Sequence, residues 1–139
     1  MIEPENAEIV LDDVLWSNGV GDAGDSVWCF CDYARGRVTI VRDNTHTVVE
    51  LPSGEADGLA FDIEGGVWVA QPRHGSLVRI MVDDGTIDRT LEVPGAQPAS
   101  VAFDGDDMYI TTIATESRSG ELLRVRAPIP GRHHHHALI

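Results

Sequence analysis

One pattern returns three times along the chain at an interval of about forty residues, and few architectures accommodate such a repeat. Asn18-Gly-Val, Asp57-Gly-Leu-Ala-Phe and Ala99-Ser-Val-Ala-Phe each open as a short strand and pass an Asp/Gly-rich turn. Each then enters a second strand carrying an aromatic residue, at Val27-Trp28, Val67-Trp68 and Met108-Tyr109. Asn18 and Asp57 lie 39 residues apart, and Asp57 and Ala99 lie 42 apart, close to the length of a four-stranded propeller blade. Third strands are expected over Arg37–Val41, Leu77–Met81 and Leu122–Val125, and fourth strands over His46–Leu51 and Ile87–Val93. The third repeat has no fourth strand, but an unassigned apolar run, Ala7-Glu-Ile-Val-Leu11, precedes the first repeat. The count reaches twelve strands, or three blades. Alternating apolar and polar residues, rich in Val, Ile, Thr and Trp and punctuated by Gly and Asp, favour this all-β reading over a helical one. A propeller closes with about four to eight blades, so three leave open sheet edges and apolar blade faces for a partner to cover.

Composition narrows the function. The 139 residues, 42% hydrophobic, suffice for one domain with a real core. Residues 1–131 read as that domain and 132–139 as a tail containing the run His133–His136. The formal charge of -13 combines 23 acidic residues with 10 arginines, and lysine is absent. Binding nucleic acid needs a basic footprint, which this chain does not have. The N-terminus is neither basic nor apolar and the apolar runs are short, so the sequence predicts a soluble, cytoplasmic protein without a leader or membrane span. Cys29 and Cys31, two apart in a strand-like run, would close a strained ring and supply too few ligands for zinc, so they read as packed, reduced thiols.

Asp57-Gly58, the Gly-Gly-Val-Trp-Val-Ala run, Pro98-Ala-Ser-Val-Ala-Phe103 and Met108-Tyr-Ile-Thr-Thr112 together resemble the C-terminal half of the SMP-30/gluconolactonase/LRE (regucalcin-like) family. The resemblance runs from Ser17-Asn18-Gly19 to Gly120-Glu-Leu-Leu-Arg-Val and the Pro-Ile-Pro-Gly131 segment. It implies a six-bladed propeller of which this chain is half, with a divalent cation, calcium or zinc, held at the central channel by a glutamate, an asparagine and an aspartate. Asn18 matches that asparagine and Asp57 that aspartate. The glutamate belongs to an N-terminal half that this chain does not contain. The turn Gly21–Asp25 is shorter than the family pattern, and Ala99-Ser100 stands where larger polar groups are common.

Taken singly, Asn18-Gly19 and Asp57-Gly58 read as tight-turn dipeptides. At equivalent positions of successive repeats, each at the start of an inner strand, they read as oxygen ligands able to share a hard cation once the ring is closed. Ala99 cannot ligate, which leaves Ser100 as a minor contributor to a substrate pocket. Trp28, Trp68 and Tyr109 read as packing between blades. The acidic groups at Asp83-Asp84 and Asp104, Asp106 and Asp107 read as solvated turns, and His46 and His74 as turn histidines, with His74 near a channel mouth. The reading that follows is a metal-dependent hydrolase of a sugar lactone or similar small ester, with Asp57 as both ligand and catalytic group. The alternative is a non-catalytic half-propeller that serves as a binding or assembly module. Ring closure is expected from a homodimer in which residues 7–11 complete the partner's third blade.

Overall fold

A computed structural model of the chain describes residues 4–133. Eleven strands form three antiparallel sheets in strict sequence order. The first holds β1 (Ser17–Gly24), β2 (Val27–Asp32), β3 (Arg37–Arg42) and β4 (Thr45–Glu50). The second holds β5 (Leu59–Phe61), β6 (Gly66–Gln71), β7 (Ser76–Met81) and β8 (Ile87–Glu92). The third holds β9 (Pro98–Asp104), β10 (Asp107–Thr112) and β11 (Leu122–Arg126). Among the described residues no helix is long and apolar enough to cross a membrane.

Period-two alternation sends each strand's apolar residues to one face of its sheet. In the first sheet Cys29 pairs with Ile40 and Cys31 with Val38. These side chains pack with Val67, Val69, Val78 and Ile80 of the second sheet. The opposite face of the second sheet presents Ala60, Trp68, Ala70 and Leu77 to Val101, Met108 and Ile110 of the third. Covered on both faces, the middle of the second sheet has no exposed side: every residue of β6 is buried, whereas the outer strand β8 is largely exposed. The inner strands β1, β5 and β9 thus become neighbours, which fixes the positions of their first residues relative to one another.

Two devices hold this stack. Asp62, fully buried, accepts hydrogen bonds from the N–H groups of Glu64 (2.9 Å) and Gly66 (3.0 Å), from Trp68 Nε1 (2.8 Å) and from Arg79 Nε and Nη2 (2.7 and 3.1 Å). Burial alone would raise its carboxyl's pKa, but these donors outweigh it and hold the value below the ordinary one. The chain beyond β11 then crosses beneath the sheets. Gly131 N–H donates to Gly105 O (2.9 Å), Ile63 N–H to Pro130 O (2.9 Å) and Arg132 N–H to Phe61 O (3.1 Å). The Arg132 guanidinium lies 5.1 Å from the Phe61 ring centroid and also reaches Asp22 O, so this first residue of the expected tail is tied to the sheets. His134–His136 fall outside the described residues.

Two expectations are corrected. Residues 7–11 form no strand, because no strand among the described residues pairs with them; Ile9 and Val10 are 78% and 66% exposed. Trp28 is not packed between sheets: it is 48% exposed, whereas Trp68, which the sequence repeat aligns with it, is fully buried and pairs with Ala60 as Cys29, not Trp28, pairs with Gly21. The reason is positional, since Trp68 faces the third sheet while Trp28 lies on the outer face of the first, against which no further sheet packs among the described residues.

Candidate metal and catalytic site

The dipeptides that open the repeats are not turns. Gly19 lies within β1 and Gly58 just ahead of β5, and neither has the positive φ of a tight-turn glycine. Each is glycine because the next inner strand approaches too closely for a side chain. A Cβ on Gly19 would lie 2.8 Å from the Asp57 carbonyl oxygen, and one on Gly58 would lie 2.3 Å from Ser100 Oγ and 2.7 Å from Ser100 Cα. In the space this opens, Gly19 N–H donates to Asp57 O (3.3 Å) and Gly58 N–H to Ala99 O (2.8 Å), the same link made twice around the inner strands. Asp57 N–H also donates to Ala70 O (2.9 Å), and Ala70 N–H to Gly58 O (2.9 Å), extending the β5–β6 ladder upstream through Asp57.

Asn18 and Asp57 are thereby brought together on adjacent sheets. The Asp57 carboxyl is half-buried and its pKa is raised, first by burial and second by the negative charge of Glu55; the neighbouring Asn18 amide partly offsets both by favouring the charged form. Ser100 is also here, but its side chain is set against Gly58. Downstream of these residues the inner strands wall an open groove of about 860 Å³, with Val20, Leu59, Phe61 and Val101 on its sides and Arg132 at its far end.

Sequence reasoning missed Glu55. It is fully buried two residues before Asp57, with Oε1 receiving Arg73 Nε at 2.6 Å and Oε2 receiving the N–H groups of Arg73 (2.7 Å) and His74 (3.3 Å). These bonds tie the loop leading to β5 to the turn between β6 and β7. His74 is partnered, with Nδ1 2.9 Å from Ser76 Oγ. No repeat partner announces Glu55, for Trp16 and Gln97 occupy the equivalent places.

A divalent cation suits the Asn18/Asp57 donor set only in part. Both groups offer hard oxygens, and the raised Asp57 carboxyl would gain from a neighbouring positive charge. Glu55 is not a spare ligand, since its oxygens already serve Arg73 and His74. Among the described residues no group of three or more His, Cys, Asp or Glu side chains converges to form a metal cage. Further ligands would have to come from water, substrate or another polypeptide.

Residues 2–114 match the model of the SMP-30/Gluconolactonase/LRE-like region family. The chain belongs to this family. It is 30% identical over 131 residues to the 6-deoxy-6-sulfogluconolactonase of Pseudomonas putida, covering 84% of this chain and 44% of that enzyme. The structure superimposes on a luciferin-regenerating enzyme with a TM-score of 0.74 at 22% identity, covering 86% of this chain and 48% of that one. It also matches the calcium-binding protein regucalcin of Agrobacterium tumefaciens with a TM-score of 0.60 at 16% identity, covering 81% and 40%. The chain therefore spans about half the length of the family members it matches. Within the family its three sheets are successive propeller-type blades, and Asn18 and Asp57 lie inside the matched region.

Proposed function

We propose that this chain is half of a six-bladed propeller that hydrolyses a sugar lactone or similar small ester with the help of a divalent cation, calcium or zinc. The observation that carries the reading is the meeting of Asn18 and Asp57 at adjacent inner strands, held by the Gly19–Asp57 backbone hydrogen bond. The lactonase name of the Pseudomonas relative and the calcium-binding name of the Agrobacterium one agree with it. The cation, when bound, supplies Lewis acidity to polarise the lactone carbonyl. Asn18 contributes an amide oxygen and fixes the orientation of Asp57. The raised Asp57 carboxyl is suited to taking a proton from the attacking water and returning it to the leaving alkoxide as the ring opens. Ser100, set against Gly58, would border the pocket.

Ring closure falls to a second copy of the chain. The outer face of the first sheet leaves Trp28 and Val48 about half exposed, and Leu122 on β11 is 67% exposed. Residues 7–11, free of any strand within the chain, would serve as the missing fourth strand beside the partner's β11. A second reading, a non-catalytic binding or assembly module, draws on the engagement of Glu55 with Arg73, which keeps Glu55 from replacing the family's third ligand.

Calorimetric titration with calcium and zinc, followed by a lactone hydrolysis assay, separates the two. Metal binding and turnover that both disappear in Asp57→Ala, with folding intact, support the enzyme. Unchanged turnover in that variant would sink it, and the absence of metal binding would favour the module. A stable monomer by light scattering would rule out the dimer.

A further inference from the structure

We infer that the rim beside Asn18 and Asp57 is built to recognise a sugar acid, with Trp16 stacking on the sugar ring and Arg73 pairing with a terminal oxyanion on the substrate. This rests on the lactone-hydrolase reading and gives it a substrate class. In the first two repeats, the residue two positions before the metal-facing residue contacts its own sheet's second turn. Trp16 does so by accepting the Tyr33 N–H at its carbonyl (2.8 Å) and by packing against Tyr33 edge-on, with ring centroids 5.4 Å apart and planes at 64°. Glu55 does so through Arg73. Both contacts lie at the end of the sheets where Asn18 and Asp57 meet.

What distinguishes this rim is the combination of a fixed cation and an open aromatic face. Arg73 is anchored at Nε and at its own backbone N–H by one buried carboxylate, yet its side chain remains 74% exposed, so the outer edge of the guanidinium faces solvent in a held position. Tyr33, against which Trp16 packs, adds to the interactions that favour the guanidinium's charge. A planar fork held in this way suits a carboxylate or sulfonate, which it can engage through two parallel hydrogen bonds. Trp16 is 62% exposed, two residues before Asn18, and its indole offers an apolar plane to the C–H face of a sugar ring. A chain of net charge -13 gains nothing from general attraction of anions, so recognition of an acidic substrate has to come from a specific arginine.

The test compares the full chain's calorimetric binding of three ligands: neutral glucono-1,4-lactone, a sugar lactone with a terminal carboxylate, and one with a terminal sulfonate. Wild type is expected to bind at least one acidic lactone ten-fold or more tightly than the neutral one. Arg73→Gln should abolish that preference, lowering acidic-lactone affinity by much more than neutral-lactone affinity. Arg73→Lys should restore part of it, and Trp16→Ala should weaken all three ligands together. The two acidic arms tell carboxylate from sulfonate. Equal binding of neutral and acidic lactones by wild type, a preference that survives Arg73→Gln, or no binding of any lactone overturns the inference. Calcium titration of the same preparations reads the Asn18/Asp57 site separately: a surviving acid preference without metal binding leaves this inference standing and defeats the hydrolase reading.

Discussion

The N–H of Gly19 donates to the carbonyl oxygen of Asp57 across 3.3 Å, joining the inner strand of one sheet to the residue that opens the inner strand of the next. The link needs no side chain on Gly19 and allows none, and it sets the Asn18 amide beside the Asp57 carboxyl. The behaviour of Asp57 depends on that placement.

Asp57 should show the conflict between stability and function that a site residue carries. Its carboxyl is raised above the ordinary aspartate value, so in the metal-free protein the charged form costs stability, and that cost appears as pH rises from the unfolded to the folded pKa. Asp57→Asn is therefore expected to raise Tm at pH 7 by about 1–3 °C while lowering calcium affinity by about ten-fold or more. Calcium affinity of the wild type should begin to fall, as pH is lowered, at a higher pH than an ordinary aspartate would give. Calorimetry across pH on both proteins reads all three effects.

Gly58→Ala should push the second and third sheets apart. Its Cβ would meet Ser100 Oγ, Cβ and Cα at 2.3, 2.6 and 2.7 Å, and overpacking of this kind costs about 1–3 kcal/mol. Ser100→Ala in the same chain should recover little, because it removes only the hydroxyl and leaves the two carbon atoms that obstruct the new methyl group. Denaturant unfolding of the two variants measures this, with the loss of metal affinity in Gly58→Ala as a second readout.

Asp62→Ala leaves Arg79, only 3% exposed, without its main partner, together with the Trp68 indole N–H and two backbone donors. Breaking a buried pair in this way costs about 3–5 kcal/mol. Because the Asp62 carboxyl sits below its ordinary value near 3.8, its contribution is fully present above that value and is lost as pH falls through the lower folded one. Acid unfolding monitored by tryptophan fluorescence should therefore be shallower below pH 4 in Asp62→Asn than in the wild type.

Cys29 and Cys31 should be inert in the folded protein. Both are fully buried, and burial pushes the Cys29 thiol up to about 12 and the Cys31 thiol up as well. Iodoacetamide at pH 8 is expected to modify neither until denaturant unfolds the chain, at a rate about 1,000-fold below that of the unfolded thiols. Mass spectrometry over a denaturant series follows the outcome.

The forty-residue repeat and its period-two alternation determined the three sheets and put Asn18 and Asp57 at equivalent places, because strand formation and face choice are written in near neighbours along the chain. The fourth strands and the inner-strand starts fell within a residue or two of their expected positions for the same reason. Other features waited for the tertiary structure. A strand over residues 7–11 requires a partner strand, which apolar alternation cannot supply, and Trp28 and Trp68 look equivalent in the repeat yet pair one residue out of register, so that Trp68 takes the inward place of Cys29 while Trp28 faces outward. Glu55 carries no periodic signal: its role came from a loop 18 residues on, when sheet packing brought Arg73 and His74 to its carboxylate. Asn-Gly and Asp-Gly read locally as turns, and only the closeness of successive inner strands made them a site. Local pattern specifies which way a side chain faces, whereas the distance between two charges or two backbones is set by how the sheets pack.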